Sequence, residues 1–317
     1  MKPTILVTGG SGFVGRRLGL RLRDEYRVVL CARNQLQNMA AERSSGCQCI
    51  AVDVSRIESI HDAVVETKPD IIIHAAATKY VDLGERQPLE CIDVNVLGSE
   101  NVARVAMERG VRVVVGMSTD KATPPIRNTY GMTKSLMERL FCALDGQSGT
   151  KFLCTRFGNV AWSSGSVFPV WERMQKDSGV IGTTGPDMRR FFFTVDEAVV
   201  VVHAAFTHAD ELHACVLGRR MKAALIGDIL DLWVKHRGGE WRKIEGRPGE
   251  RDDEYLIGDV ELPYAREAEF NGFAHYVLSP RQRQEHPLAL GLTSANAERL
   301  TPEEIIKMIT SPVGYSN

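Results

Sequence analysis

The stretch that decides the fold is Thr8-Gly9-Gly10-Ser11-Gly12-Phe13-Val14-Gly15, which continues the apolar run Ile5–Thr8. The run predicts a buried strand, and the residues after the glycines have helical spacing. Gly9 and Gly12 allow a tight turn that brings backbone N–H groups against a pyrophosphate, and Gly15 lets the helix pack on the sheet. A GxxGxxG pattern between a strand and a helix therefore predicts a dinucleotide-binding loop.

Outward from this loop, short apolar runs alternate with helical patterns. The predicted strands are Ile5–Thr8, Arg27–Ala32, Cys49–Val52, Asp70–His74, Val111–Met117 and Phe152–Phe157. The predicted helices are Phe13–Arg23, Leu36–Glu42, Ile57–Glu66 with Ser55 as its cap, Leu89–Arg109 and Thr129–Leu144. The alternation predicts an α/β fold, a Rossmann-type doubly wound parallel sheet with right-handed crossovers.

The second half of the chain has a different pattern. After Gly158 glycine and proline are frequent, and the helical segments Ala224–Val234 and Pro302–Ile309 are separated by irregular stretches. We therefore expect residues 1–157 to form the cofactor-binding domain. Residues 158–317 should form a smaller, mixed C-terminal substrate-binding region, whose strands can return to the main sheet.

Composition excludes several classes of protein. The 317 residues are 44% hydrophobic and 25% charged, with a net charge of −1, as in an ordinary globular enzyme. No basic block indicates a nucleic-acid or membrane partner, and no apolar run approaches the roughly 20 residues of a membrane span. Seven scattered cysteines and eight histidines lack metal-ligand spacing, so we expect reduced thiols, no metal and a cytoplasmic location.

The kind of cofactor is indicated by the end of the second strand. Cys31-Ala32-Arg33-Asn34 contains no acid to hold the ribose hydroxyls of NAD, whereas Arg33 can pair with a 2′-phosphate. NADP is therefore favoured over NAD, unless Arg33 is simply a solvated loop residue. Asp53, followed by Val54 at the end of the third strand, either meets the adenine amino group or caps the next helix.

Two pairs of polar side chains follow the fifth strand. Tyr130 and Lys134 are four residues apart on a predicted helix and share a face, so the lysine can stabilise a phenolate that deprotonates a sugar hydroxyl. Thr119 can hydrogen-bond the same oxygen. Asp120 and Lys121 come just after the strand, at the edge where parallel sheets bind ligands, although they could also form a solvated ion pair.

With these residues in place, the chain resembles the extended short-chain dehydrogenases/reductases. Within them it is similar to the C5-inverting UDP-N-acetylglucosamine 4,6-dehydratases of polysaccharide and pseudaminic-acid biosynthesis. The resemblance covers nearly the whole chain and is carried by Thr8–Gly15, His74–Val81, Asn95–Gly98, Ser118–Ala122, Tyr130–Lys134, Arg156–Val160, Met188–Phe192, Arg247–Glu250 and Leu292–Asn296. The Thr-Asp-Lys triplet is its specific signal, because sugar 4-epimerases usually lack it and C5-retaining dehydratases usually carry an acid in place of the lysine.

The resemblance implies a reaction with three stages. Tyr130 is the base for oxidation at C4, Asp120 and Lys121 remove water across C5 and C6, and hydride returns to C6. An adjacent acid and base with separated pKa values suit the elimination. The resemblance does not decide whether Asp120 or Lys121 takes the C5 proton.

The glycine motif and the resemblance together imply two sets of binding residues. Cofactor contacts are expected from Gly9, Gly12, Phe13, Val14, Gly15, Arg33, Asp53, Val54, Ala75, Ala76, Ala77 and Asn95. Substrate contacts are expected from Lys79, Asn159, Ser166, Val167, Arg189, Arg247 and Glu250. An arginine fork binds two pyrophosphate oxygens at once, and Arg190 can serve in place of Arg189. Solvent exposure is equally expected for Lys79.

One departure from the family concerns the substrate. The family usually has an arginine in the segment that reads Ser163-Ser164-Gly165-Ser166 here, and Trp162 adds bulk before it. Both changes should fall near the substrate, so a different acyl group, sugar or nucleotide is open.

Other functions also stay open. The alternatives are a nucleotide-sugar 4-epimerase, which needs no elimination, and a non-catalytic cofactor-binding scaffold. Apolar-rich helices at residues 89–109 and 129–145 indicate a homo-oligomer by analogy with this fold.

Overall fold

The computed structural model describes residues 2–246 and 249–311. Its strands are β1 Thr4–Thr8, β2 Arg27–Ala32, β3 Gln48–Ala51, β4 Ile71–His74, β5 Val113–Met117, β6 Lys151–Arg156, β7 Asn159–Val160, β8 Val180–Thr183, β9 Arg189–Phe193, β10 Val216–Arg219, β11 Lys222–Leu225, β12 Glu240–Lys243, β13 Tyr255–Ile257, β14 Ala265–Phe270, β15 Phe273–Leu278 and β16 Leu292–Thr293. Its helices are α1 Phe13–Leu22, α2 Gln35–Ser45, α3 Ile57–Thr67, α4 Val81–Arg86, α5 Pro88–Ile92, α6 Gly98–Arg109, α7 Thr129–Leu144, α8 Val167–Ser178, α9 Val195–Thr207, α10 Ala209–Leu212, α11 Ile226–Arg237 and α12 Pro302–Thr310.

The main sheet has the strand order β3-β2-β1-β4-β5-β6-β10-β15-β14. In this order, the first seven strands, from β3 through β1 to β10, run parallel, whereas β15 and β14 pair antiparallel at one edge. The chain order reverses between β1 and β4, and such a switch point opens a crevice at the carboxyl ends of the strands. The predicted fold class, a doubly wound Rossmann-type sheet, is confirmed.

The second half of the chain builds onto this sheet and adds a smaller core of its own. Strands β10, β15 and β14 extend the sheet beyond β6, and their apolar side chains belong to the main core. A second apolar cluster joins α8, α11 and α12 around the buried ring of Trp233.

The helix expected over Leu89–Arg109 is not regular. A π-helical segment, Asp93–Leu97, lies between α5 and α6 and turns the buried Asn95 inward. Such insertions are frequent near functional sites. The predicted cap of α3 is wrong, because the N-cap residue is Arg56, and the Ser55 hydroxyl instead donates to Asp53 Oδ1 at 2.7 Å.

Several second-half elements are absent from the expectation. Helix α9 is buried on most of its surface, so its sequence lacks an amphipathic period, although Thr194 and Glu197 form a capping box at its start. The expected helix at Ala224 begins at Ile226, because the preceding residues pair with β9 as strand β11.

A buried charge cluster ties the two halves together. The Arg156 guanidinium donates to both oxygens of Glu138 on α7, at 2.9 and 2.6 Å, and to both oxygens of Glu261, at 2.9 and 3.0 Å. It also donates to Thr123 Oγ1 and to the Leu256 carbonyl oxygen, each at 3.0 Å. The Arg156 side chain is 1% exposed, so these bonds compensate it for leaving water.

Candidate active site

A central cleft of about 620 Å³ opens at the carboxyl ends of the parallel strands. Residues of the glycine loop line it, together with residues that follow β2, β3, β4, β5 and β6 and with Ser163–Ser166. A larger cavity, about 1160 Å³, lies beside β9 and β11, and none of the predicted site residues lines it. Chemistry rather than size therefore identifies the central cleft as the candidate site.

The glycine loop has the geometry of a phosphate cradle. Gly9 has a φ of +68°, and a Cβ there would lie 2.7 Å from the Ala76 backbone nitrogen. A Cβ on Gly15 would lie 2.6 Å from Gly10 Cα, which would push α1 away from the sheet. Within the described chain no side chain caps α1 at Gly12, so a bound anion can do so. The loop fits a dinucleotide.

At the adenosine end, Arg33 and Val54 line the cleft. An Arg33 guanidinium nitrogen lies 3.8 Å from Glu90 Oε1, and both side chains are about half exposed. The backbone N–H and hydroxyl of Ser55 both donate to Asp53 Oδ1, so Asp53 closes its own turn. Its alternative role as a cap of α3 is wrong, and its adenine contact stays a prediction.

Asn95 lies away from the cleft surface, contrary to the expected cofactor contact. Its side chain is fully buried, accepts from the Thr78 N–H at 2.8 Å and donates to the Thr78 carbonyl and Thr133 Oγ1, each at 3.0 Å. Asn95 thus ties the segment after β4 to α7. That segment includes Ala75, Ala76 and Ala77, which do line the cleft with Phe13 and Val14.

Tyr130 lies in the first turn of α7 and lines the cleft. The Asn128 side chain caps this helix by accepting from the Gly131 N–H at 2.8 Å. Burial raises the pKa of Tyr130 to about 12, while the positive charge of Lys121 and a hydrogen bond with Thr119 act to lower it. These two neighbours are the groups that favour the phenolate.

Lys134 differs from its expected role. It lines the cleft, but its ammonium donates to Met137 Sδ at 3.2 Å, and burial lowers its pKa to about 8. Lys121 is a cation that acts on the Tyr130 phenol, and the role of Lys134 toward the phenolate stays a prediction.

Asp120 and Lys121 form a buried ion pair. Asp120 Oδ1 accepts from Thr119 Oγ1 at 2.9 Å and from Lys121 Nζ at 3.1 Å. Asp120 is fully buried behind the lysine, whereas Lys121 lines the cleft. Lys121 Nζ also lies 3.5 Å from Glu254 Oε1, and Arg190 Nε lies 3.9 Å from the same oxygen. Burial acts to lower the pKa of Lys121, but the two carboxylates outweigh it and raise the pKa above its usual range.

The expected substrate residues fall into two groups. Lys79, Asn159 and Ser166 line the cleft. Val167 is the first residue of α8, and Ser166 is its N-cap. Arg189 instead donates to Asp253 Oδ2 at 3.0 Å, and Glu250 accepts from Thr184 Oγ1 at 2.9 Å, both away from the cleft lining. Arg247 lies outside the described residues.

The bulk of Trp162 does not fall where the sequence suggested. Its indole N–H donates to the Met308 carbonyl oxygen at 2.7 Å, and its ring packs against Phe168 and Trp233. Trp162 therefore belongs to the C-terminal core, and Tyr80, whose ring packs on Gly165, faces the cleft.

Sequence reasoning missed Glu254 altogether. Its side chain is 5% exposed, and it follows no recognisable motif. The N–H of Glu254 donates to Ser294 Oγ at 3.0 Å, and the Ser294 N–H donates to the Glu254 carbonyl at 2.8 Å. A contact made across such distant segments leaves no local signal.

In the part of the chain that is described, no group of three His, Cys, Asp or Glu side chains could hold a metal ion. No helix in the described ranges is long and apolar enough to cross a membrane.

Several known proteins are similar to this chain. The family model described as polysaccharide biosynthesis protein matches residues 5–273. The inverting UDP-N-acetylglucosamine 4,6-dehydratase of Campylobacter jejuni is 32% identical, over 88% of this chain and 83% of that one. The X-ray structure of Pen from Bacillus thuringiensis has a TM-score of 0.88 at 25% identity, over 98% and 97% of the two chains. The UDP-glucose 4-epimerase of Thermus thermophilus, in complex with NAD, shares the fold with a TM-score of 0.67 at 19% identity, over 78% and 88%.

Proposed function

Because the chain belongs to the polysaccharide biosynthesis protein family, we propose that it is an NADP-dependent nucleotide-sugar 4,6-dehydratase acting on UDP-N-acetylglucosamine or a close relative. The observation that carries this proposal is Lys121, which faces the cleft with a carboxylate on either side, next to Tyr130. A 4-epimerase needs a base only at O4. A second proton-exchanging group supports elimination at C5 and C6.

The first stage uses Tyr130. Its phenolate takes the O4 proton, with Thr119 and Lys121 holding the negative charge. A bound nicotinamide would accept the C4 hydride and later return it to C6. The resulting C4 ketone makes the neighbouring C5–H acidic enough for a side-chain base.

The second stage uses the Asp120–Lys121 pair. Lys121 lines the cleft and Asp120 does not, so we infer that Lys121, which is cationic at rest and must first lose its proton, takes the C5 proton. The pair then supplies a proton to the C6 hydroxyl, which leaves as water. The proton that Tyr130 took from O4 balances the proton that returns, after exchange with solvent, to the opposite face of C5 and gives the inverted product.

The experiment that tests the function is incubation with UDP-N-acetylglucosamine in deuterated water, without added reductant, followed by mass spectrometry. We expect the product to have lost one water and to carry one deuterium at C5. The double variant Asp120→Asn/Lys121→Met should lose elimination. An unchanged mass with a changed C4 configuration would mean a 4-epimerase, and no reaction despite bound cofactor would favour the non-catalytic scaffold.

Arg33 should set the choice between NADP and NAD. Replacing it with alanine removes the cation nearest the expected 2′-phosphate, a charge-assisted contact of about 1.5–3 kcal/mol. We expect Arg33→Ala to lower the ratio of NADP to NAD affinity roughly ten- to a hundredfold, measured by calorimetry. Arg27→Ala, an exposed arginine at the start of the same strand, is the control. An unchanged ratio in Arg33→Ala would remove the argument for NADP.

An apolar surface supports self-association. Leu89, Ile92 and Leu97 are exposed beside Met132 and Leu136 of α7. We propose that a second copy covers this surface. Light scattering should then give a multiple of 35.1 kDa, and a monomer mass would contradict it.

The seven free cysteines support a reducing, cytoplasmic location.

A further inference from the structure

Lys121 has a second carboxylate partner that the proposed reaction does not use. Lys121 Nζ lies 3.1 Å from Asp120 Oδ1 and 3.5 Å from Glu254 Oε1. Glu254 comes from the C-terminal region and is 5% exposed, so its charge is poorly screened by water. A buried carboxylate is retained only where other groups compensate it.

The compensation of Glu254 is incomplete. Arg190 Nε lies at 3.9 Å from Oε1, beyond hydrogen-bond distance. Glu254 Oε2 is buried and has no hydrogen-bond partner within the described residues. The ammonium of Lys121 is thus the nearest charge partner of Glu254 within the described residues.

The position of Glu254 is fixed by its backbone. Reciprocal N–H bonds with Ser294 hold it at the start of β13, which pairs with β16. Ser294 Oγ also donates to Asp253 Oδ1 at 2.8 Å. A carboxylate carried on a backbone held this firmly can influence both the place and the ionisation of the lysine that it faces.

We propose that Glu254 is a positioning residue that holds Lys121 in the cleft and keeps it cationic in the resting enzyme. The other charged or titratable groups around Lys121 are Asp120 beside it, Arg190 on β9, Tyr130 on α7 and Arg251 before β13. Arg190 acts to lower the pKa of Lys121, and the two carboxylates act to raise it. Asp120 alone would hold the ammonium less strongly. The role of Glu254 in the reaction rests on the proposed function, but the coupling of Glu254 to Lys121 does not.

The test measures the ionisation of Lys121 without any substrate. Protein labelled with ¹³C at lysine Cε is titrated by NMR in the whole chain, and the Lys121 signal is assigned with Lys121→Arg. In the unsubstituted protein this signal should keep its ammonium shift past the ordinary lysine pKa of 10.5. In Glu254→Gln the Lys121 signal should titrate at least about one pH unit lower. One pH unit corresponds to about 1.36 kcal/mol of lost interaction.

Two further variants keep the test decisive. Glu254→Asp retains the charge at a greater distance, so its titration should lie between the other two, and it replaces Glu254→Gln if that variant does not fold. Glu267→Gln removes an exposed carboxylate elsewhere and should change nothing. The proposal is overturned if the Lys121 titration is the same in every folded Glu254 variant and in the unsubstituted protein.

A kinetic readout links this coupling to the reaction. Exchange of the C5 proton with deuterated solvent should rise with pH as Lys121 loses its proton. In Glu254→Gln the plateau of this profile should move to lower pH by the amount seen in the titration. If the unsubstituted protein forms no dehydrated product, the proposed function fails, while the NMR titration still decides the role of Glu254.

Discussion

Replacing Tyr130 with phenylalanine should lower kcat for the dehydratase reaction at least about a hundredfold, the lower end of what a positioned acid–base group contributes. The fold should survive, because the hydroxyl has no structural bond other than that with Thr119 among the described residues. Initial rates with UDP-N-acetylglucosamine measure the effect. Tyr26→Phe, which alters a tyrosine packed on Phe206 far from the cleft, should keep full activity.

The same tyrosine should add a pH dependence through the C4 oxidation that precedes loss of the C5 proton. Burial raises the pKa of Tyr130 to about 12 in the protein without ligands, so the phenolate is scarce near neutrality. Below that pKa the phenolate fraction rises tenfold per pH unit. The rate should therefore rise with pH up to the pKa that Tyr130 has in the enzyme with bound cofactor, where a cationic nicotinamide would add to the effect of Lys121 and lower that pKa. A Tyr130→Phe enzyme with more than a tenth of normal activity would assign the O4 proton to another group.

Arg156→Leu should strongly destabilise the protein. It leaves the carboxylates of Glu138 and Glu261 without their cation, and breaking a buried ion pair from one side costs about 3–5 kcal/mol. Urea unfolding followed by circular dichroism measures the loss in free energy of unfolding.

The control for Arg156 removes the charges together. The triple variant Arg156→Leu/Glu138→Leu/Glu261→Leu leaves no uncompensated charge and should recover most of the lost stability. A loss below about 1 kcal/mol in Arg156→Leu would mean that water or another cation reaches the two carboxylates.

The sequence predicts best those residues whose backbone conformation demands one amino acid. Gly9 sits in the left-handed region with no room for a Cβ, so the loop that it begins could be recognised without a structure. The parallel sheet could also be predicted, because strands that are buried on both faces have nearly continuous apolar sequences. The π-helical segment before α6 has no such signal, because an inserted residue leaves the apolar pattern nearly unchanged.

The site was harder to predict than the fold. A motif indicates that a residue is needed, but it does not say which way the residue faces. Asn95 matched a motif and proved to hold two segments together from the interior. Glu254 had no motif, because only the pairing of β13 with β16 brings it to Lys121. The roles of the remaining predicted contacts stay predictions.

Two largely buried ion pairs, Arg156–Glu261 and Lys121–Glu254, join residues on opposite sides of the junction predicted between residues 157 and 158. This junction is where a recombination event, or a protein engineer building chimaeras, would most naturally exchange one C-terminal half for another. A transplanted half that lacks either acid would leave Arg156 or Lys121 with one carboxylate partner instead of two, however well its sugar-contacting loops suited a new substrate. Halves of homologues should therefore be exchanged with the least loss of stability among lineages that have kept both acids, so the inheritance of specificity is constrained by charge balance across this junction.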